Sequence, residues 1–124
     1  GRRRISDIDC LNYLKELMGG VHLLHEKYNL VHRALTPANI MIDQNGQLRL
    51  TTFAYCVPCY DNQGVFATYQ PRSKYPKPGY ALEDLAAEEG LELGECAAPE
   101  LQRGDGYNYL VDFYSVGAII KRLY

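Results

Sequence analysis

The sequence contains no tryptophan, and its four cysteines among 124 residues are too sparse for a disulfide-stapled secreted module. No apolar run approaches the roughly 18 residues that a membrane-spanning helix needs. The first residues, Gly1-Arg2-Arg3-Arg4, are not followed by the apolar core of a signal peptide. We therefore expect an intracellular, cytoplasmic protein without a membrane segment.

The charges are nearly balanced, with 13 basic and 15 acidic residues and a net charge of −2. This balance disfavours a protein that holds nucleic acid through its charge, so we expect no nucleic acid partner. A hydrophobic content of 47% and a charged content of 23% are typical of a globular protein, and the length suits one domain. Because the chain does not begin with methionine, we expect it to be a piece of a longer protein.

Two stretches in the first half have clear local patterns. Apolar residues recur every three or four positions over residues 6–27, which predicts a helix that begins at Ser6 or Asp7 and ends near Asn29. Residues 40–50 alternate on either side of an Asn-Gly pair, which tolerates the backbone angles of a tight turn. The sequence therefore predicts a long helix followed by a β-hairpin.

The second half is dominated by a long segment and a final apolar stretch. Residues 55–97 are rich in proline, glycine and tyrosine, and they exceed the length of an ordinary connection in a compact domain. Within them, Ala81 to Glu89 is predicted as a short acidic helix. Val111 to Tyr124 is apolar on nearly every side, which predicts a helix that is buried all round.

Four short motifs follow one another along the chain. They are His32-Arg33-Ala34-Leu35-Thr36-Pro37-Ala38-Asn39, Thr52-Phe53-Ala54, Ala98-Pro99-Glu100 and Asp112-Phe113-Tyr114-Ser115-Val116-Gly117. Their order and spacing resemble the lower, C-terminal lobe of protein kinases, where motifs read H-R-D-L-x-x-x-N, D-F-G and A-P-E. The Gly106-Tyr107 run looks nearest to the AGC group of Ser/Thr kinases.

The resemblance spans essentially the whole chain and implies its architecture. It implies an α+β, mainly helical fold, with residues 1–124 forming a partial kinase-like domain that lacks the upper lobe and the final helices. Residues 55–97 would be the activation-type segment of that domain.

The residues that carry catalysis in the resembled family are replaced here. The resemblance puts the position of the catalytic base at Ala34, and a methyl group accepts no proton. It puts the phosphate-contacting lysine at Thr36 and the metal-binding aspartate at Thr52, whose neutral hydroxyl is a poor ligand for Mg²⁺. Asn39, the other metal-binding position, is retained. The resemblance therefore implies no intact catalytic residue.

The cofactor expectation follows from the same resemblance. Met41 matches a position beneath the adenine of ATP and would form the floor of a nucleotide site. No Gly-rich loop and no strand lysine of the V-A-I-K type precedes the first helix. We expect no cofactor for this chain, since Mg²⁺ and ATP are implied only by analogy with the family.

Other matched positions have structural roles in the family. His32 and Phe53 match side chains of its hydrophobic spine. Asp112 matches a carboxylate that accepts backbone amides of the catalytic loop, and Arg33 matches a cation that pairs with a phosphorylated activation segment. Glu100 matches a carboxylate whose basic partner lies beyond the end of this chain.

The long segment contains five candidate phosphorylation sites, namely Tyr55, Tyr60, Tyr69, Tyr75 and Tyr80. Rings that anchor the segment to the rest of the domain are an equally good interpretation. Cys56-Val57-Pro58-Cys59 has the spacing of half a zinc site, but no second pair accompanies it, so a metal site is disfavoured.

Three functions remain open. The first is a catalytically inactive, pseudokinase-like domain that binds a protein partner as a scaffold or an allosteric regulator. The second is a divergent Ser/Thr protein kinase that is active in its full-length parent. The third is a degenerate fragment without a function of its own. In each case we expect the rest of the parent chain to be needed for stability, because the apolar last helix lacks covering elements.

Overall fold

The computed structural model describes residues 5–69, 95–103 and 106–124. The elements in chain order are α1 (Asp7–Glu26), β1 (Leu30–Val31), β2 (Ile40–Ile42), β3 (Leu48–Leu50), β4 (Val57–Pro58), α2 (Pro99–Arg103) and α3 (Leu110–Leu123). β1 pairs antiparallel with β4, and β2 pairs antiparallel with β3. Helices combined with small antiparallel sheets confirm a mixed α+β architecture.

Helix α1 begins where the sequence predicts it. The Ser6 side chain accepts a hydrogen bond from the Asp9 amide and so caps the first turn. The helix ends at Glu26, before the predicted end near Asn29, because Asn29 adopts a left-handed backbone with φ of 53°. Its carboxamide oxygen accepts a hydrogen bond from the Tyr60 amide at 2.8 Å, which links the start of β1 to the chain that follows β4.

The predicted hairpin is present as β2 and β3. Ile40 pairs with Leu50 and Ile42 with Leu48, while Gly46 has the positive φ of 78° that the turn requires. The hairpin packs on α1 at Gly20, where an added Cβ would lie 3.4 Å from Leu50 Cδ1. The helix therefore carries a glycine where a strand side chain approaches it closely.

The described part of the chain has two clusters of buried apolar side chains. One joins α1 to α3 through Leu17, Val21, Leu35, Cys96, Val116 and Ile119. The other joins the β1–β4 pair to α2 and the start of α3 through Val31, Cys59, Ala98, Leu101, Tyr107 and Val111. Leu35, in the loop from residue 32 to residue 39, belongs to the first of these clusters, and Val31, just before that loop, belongs to the second.

Among the described residues, helix α3 is covered on one side only, which agrees with the expectation that the apolar last helix lacks covering elements. Its inner face is covered, including Val116 and Ile119, but Leu110 is 52% exposed and Tyr114 is 46% exposed. The reason is that α1 covers one side only, and no described element covers the opposite side. An apolar sequence predicts burial, but the apolar side chains on the outer face of α3 remain exposed to solvent.

The long segment is described as far as Tyr69 and again from Glu95. The predicted acidic helix at Ala81 to Glu89, together with Tyr75 and Tyr80, lies outside the described residues. Among the residues that are described, no helix has the length and apolar character to cross a membrane.

Candidate functional site

The loop that begins at His32 is held in place by one buried carboxylate on α3. Asp112 is 1% exposed, and it accepts the His32 amide on Oδ2 at 2.7 Å and the Arg33 amide on Oδ1 at 3.0 Å. The backbone at Arg33 has a φ of 71°, which is strained for a residue other than glycine and needs such support. Asp112 therefore fixes the course of the loop through the kind of contact that the kinase resemblance implies.

Sequence reasoning missed a third partner of this carboxylate. His25 is buried near the end of α1, and its Nε2 lies 2.8 Å from Asp112 Oδ2. The edges of Tyr109 and Phe113 pack against the imidazole ring. His25 follows Leu17, Val21 and Leu24 on the buried face of α1, so its spacing indicated burial but could not identify its partner.

His32 is fully committed to backbone contacts. Its Nε2 lies 2.6 Å from the Thr51 carbonyl oxygen, and its Nδ1 accepts the Ala34 amide at 3.1 Å. A carbonyl oxygen only accepts, so Nε2 carries the proton and the ring is the neutral tautomer. The Phe53 ring makes an edge contact at 5.6 Å between centroids. His32 therefore acts as a rigid link between the loop and β3, with neither nitrogen left for proton transfer.

The retained carboxamide of Asn39 is closed in by its neighbours. Its Nδ2 donates to the Ala34 carbonyl at 2.7 Å, and its Oδ1 accepts the Thr52 hydroxyl at 3.1 Å. The Thr51 hydroxyl also donates to the Asn39 carbonyl at 2.8 Å. The two positions that the resemblance relates to metal binding, 39 and 52, thus satisfy each other with a neutral hydrogen bond.

The remaining positions of the loop add no charge to this centre. Ala34 is 2% exposed, so its methyl group is part of the core. The Thr36 hydroxyl is buried, and it has no hydrogen-bond partner among the described residues. Between residues 32 and 54 the sequence has one carboxylate, Asp43, which belongs to the hairpin turn and pairs with Arg49 at 3.0 Å. The described residues contain no cluster of His, Cys, Asp and Glu that could hold a metal ion.

The order of these elements and the geometry of the loop agree with a comparison against known proteins. A model of the protein kinase domain matches residues 1–124. The chain belongs to the protein kinase family. The match confirms the resemblance, and the relatives are AGC-type and related Ser/Thr kinases.

Three relatives illustrate the range of similarity. The phosphorylase b kinase gamma catalytic chain (liver/testis isoform) of Rattus norvegicus is 29% identical over 122 residues, which is 96% of this chain and 25% of that protein. The serine/threonine-protein kinase Sgk2 of Mus musculus is 26% identical over 98% of this chain and 27% of its own length. Rhodopsin kinase GRK1 of Rattus norvegicus is 25% identical over 92% of this chain and 16% of its own length. The chain thus spans about a quarter or less of the length of these curated relatives.

The arginine of the kinase-like loop binds neutral partners. Arg33 Nε donates to the Tyr55 carbonyl at 2.6 Å, and its Nη1 donates to the Tyr107 hydroxyl at 2.7 Å. Tyr107 in turn stacks on Tyr69, with centroids 5.8 Å apart. The resemblance identified Arg33 as a cation for a phosphorylated segment, but nothing in the sequence pointed to Tyr107 as its partner.

The described tyrosines of the long segment contact the rest of the domain. The Tyr69 hydroxyl donates to the Pro58 carbonyl at 2.7 Å. Tyr60 stacks on Phe66, which stacks on Tyr109 at the start of α3. Tyr55 packs against the cluster that contains Tyr107. These contacts favour the anchoring interpretation for Tyr55, Tyr60 and Tyr69.

The other predicted positions lie apart from this centre. Met41 is exposed on β2, and Glu100 lies in the first turn of α2. Burial raises the pKa of the Cys56 thiol and raises that of Cys59 to about 11, so neither is a ready thiolate at neutral pH. Neither cysteine forms a disulfide bond.

Proposed function

We propose that the chain is the lower lobe of a kinase-like domain that transfers no phosphate and acts by binding a protein, as a scaffold or an allosteric regulator. The lobe assignment rests on the order of the elements: a long helix, the loop at residues 32–39, a hairpin, a long segment and a largely apolar helix. On this proposal residues 1–124 form part of one domain, with residues 55–97 as its activation-type segment.

The observation that carries the proposal is the closed contact between Asn39 and Thr52. A base at position 34 would need a carboxylate, and a metal at positions 39 and 52 would need negative charge beside the nucleotide phosphates. Ala34 offers a buried methyl group, and the Asn39 oxygen already accepts from the Thr52 hydroxyl. Asp43, the one carboxylate that the sequence has between residues 32 and 54, is occupied in the hairpin turn.

The size of these losses supports inactivity. Removing a general base typically lowers a rate by about 10²–10⁴. Phosphoryl transfer depends chiefly on positioning and charge neutralisation, which the loss of a metal ligand weakens further. We therefore also propose that the chain uses neither Mg²⁺ nor ATP as a working cofactor.

A protein partner and a cytoplasmic location complete the proposal. The uncovered face of α3, with Leu110 and Tyr114 exposed, is suited to contact with further protein. The free thiols of Cys10, Cys56, Cys59 and Cys96 fit a reducing compartment inside the cell.

A divergent, active Ser/Thr protein kinase in the full-length parent is the second candidate. It is favoured by the retained Asn39 and by relatives whose names describe serine/threonine-protein kinases. The comparisons favour neither candidate over the other, because each of the relatives described above is far longer than this chain. The composition of the centre, with Ala34 and Thr52, favours the first candidate.

The test is transfer of labelled phosphate from Mg²⁺-ATP to generic protein substrates and to the protein itself. We expect no transfer above a heat-inactivated sample, either for this chain or for any longer protein that carries it. Asn39→Ala is the matched variant, because it removes the last metal-binding position of the family. Transfer by the longer protein that Asn39→Ala abolishes would establish the kinase alternative and refute the proposal.

A further inference from the structure

The start of the long segment is fastened to the domain by an arginine that uses neutral partners. Arg33 lies in the loop fixed by Asp112, and its guanidinium reaches in two directions. Nε donates to the Tyr55 carbonyl, at the beginning of the segment, and Nη1 donates to the hydroxyl of Tyr107, just before α3. One side chain thus connects the segment to the buried part of the fold.

Tyr107 extends this connection to the other end of the described segment. It is 6% exposed, and its backbone exchanges hydrogen bonds with Tyr69 at 2.7 and 2.9 Å. The rings of Tyr69 and Tyr107 stack, and the Tyr69 hydroxyl donates to the Pro58 carbonyl. These contacts form a closed network from Tyr55 through Arg33, Tyr107 and Tyr69 back to Pro58, which we call the arginine–tyrosine network.

None of the contacts described in the arginine–tyrosine network involves a phosphate group. Each acceptor is a carbonyl or a phenol oxygen, and the bond distances of 2.6 to 2.7 Å to Arg33 are those of charge-assisted hydrogen bonds. The charge of Arg33 is also felt at Tyr69, where it opposes the rise in the pKa that burial causes. A cation that the family pairs with a phosphorylated residue is here satisfied within the fold.

We propose that the arginine–tyrosine network of Tyr55, Arg33, Tyr107, Tyr69 and Pro58 docks residues 55–69 onto the domain without phosphorylation. The position of this part of the segment then follows from the fold and does not change with phosphorylation. The inference does not depend on whether the protein transfers phosphate. It concerns a structural state of the segment, and a catalytically active parent would satisfy it equally well.

The test is amide hydrogen exchange in the protein as isolated, after phosphatase treatment, and in two variants. Tyr107→Phe removes the hydroxyl acceptor and keeps the ring that stacks on Tyr69. Tyr60→Phe is the matched control, because the Tyr60 hydroxyl lies in the same segment but takes no part in the arginine–tyrosine network; it lies 3.5 Å from Glu26 Oε1. The amides of β2 and β3 serve as an internal reference for global stability.

We expect phosphatase treatment, with loss of phosphate checked by intact mass, to leave exchange within residues 55–69 unchanged. Protein that carries no phosphate when isolated and still protects these amides supports the proposal equally. Tyr107→Phe should speed exchange at these amides by about tenfold, because it leaves a charged donor without its acceptor. Tyr60→Phe should not change it.

Three results would overturn the proposal. The first is faster exchange in residues 55–69 after phosphatase treatment, which would make docking phosphate-dependent. The second is unchanged exchange in Tyr107→Phe. The third is an equal rise in the exchange rate of the β2 and β3 amides in Tyr107→Phe, which would show that Tyr107 stabilises the whole fold. The phosphatase arm needs no substitution, so it decides the question even if Tyr107→Phe does not fold.

Discussion

Two centres meet at the loop of residues 32–39, and they differ in the charge of their contacts. Around Asp112, the buried carboxylate contacts the amides of His32 and Arg33 and the ring of His25, so both of its oxygens have hydrogen-bond partners. Around Asn39, the carboxamide meets only a carbonyl and the neutral hydroxyl of Thr52. The first centre is complete, and the second contains no charge.

The difference separates folding from chemistry within one loop. The contacts of Asp112 set the backbone of the loop, and a buried carboxylate without partners would be costly, so these contacts must be retained for the fold. The residues that face the family's reaction have no such constraint. Ala34 and Thr52 bring no charge to this centre, so the loss of catalysis that we propose would leave the contacts of Asp112 in place.

The largest expected effect comes from removing the complete centre. Asp112→Ala should lower the free energy of unfolding by about 2–5 kcal/mol, since two buried amides lose their acceptor at about 1–3 kcal/mol each. Urea denaturation followed by circular dichroism measures the change. Lys121→Ala, an exposed substitution on the same helix, is the control and should have little effect. A loss below about 0.5 kcal/mol for Asp112→Ala would show that the loop is held chiefly by packing.

The two centres also show what could be predicted from the sequence. The helix over residues 6–27 and the hairpin over residues 40–50 depend on local spacing and turn residues, and both were predicted within a few residues. The His25–Asp112 contact joins residues 87 positions apart, and the Arg33–Tyr107 contact joins residues 74 positions apart. Such pairs follow from tertiary packing, which the local pattern of either partner does not contain.

The one-sided cover of α3 has a related cause. Its composition correctly indicated apolar faces, but composition does not state which neighbours are present to cover them. Exposure of Leu110 and Tyr114 follows from the arrangement of α1, which meets only the inner side of the helix. The resemblance to kinases implied that Asp112 accepts backbone amides of the loop, and the structure adds His25 as a further partner.

The second prediction extends the comparison to the two faces of α3. The inner face carries Asp112, while the outer face lines an open groove of about 610 Å³ with Phe113, Tyr114 and Gly117. Uncovered apolar surface is unfavourable by about 25 cal/mol per Å², so we expect the 124-residue chain to self-associate.

Sedimentation velocity and binding of a hydrophobic dye measure this association. Tyr114→Lys should weaken it by about tenfold, the scale of an aromatic contact in an interface. Tyr28→Lys replaces an exposed tyrosine away from this groove and should not weaken it. A monodisperse monomer that binds little dye would show that the outer face is covered.

The third prediction concerns backbone strain at Thr52, in the centre around Asn39. Thr52 has φ of 61° and ψ of 62°, a left-handed conformation that a β-branched residue adopts at a cost of about 1–2 kcal/mol. Asparagine tolerates this conformation, so Thr52→Asn should raise the free energy of unfolding by about 0.5–1 kcal/mol. Thr52→Ser keeps the hydroxyl and should give a smaller gain. If Thr52→Asn instead destabilises the protein, the bond from the Thr52 hydroxyl to Asn39 outweighs the strain.

The smallest expected effect concerns Asp43, the one carboxylate that the sequence has between residues 32 and 54. It accepts the Gln47 and Asn45 amides in the hairpin turn, and the Gln47 hydrogen bond is the leading cause of the lowering of its pKa. A carboxyl whose pKa is lower when folded stabilises the protein above its unfolded pKa of about 3.9, and the stabilisation is lost as the pH falls through the folded pKa. The unfolding temperature of Asp43→Asn should therefore lie slightly below that of the unchanged protein at pH 6, and the gap should narrow as the pH falls below about 3.9. Asn45→Ala alters the same turn without a titrating group, so its difference should not depend on pH. A gap for Asp43→Asn that does not change as the pH falls would show that ionisation of this carboxylate is not what stabilises the turn.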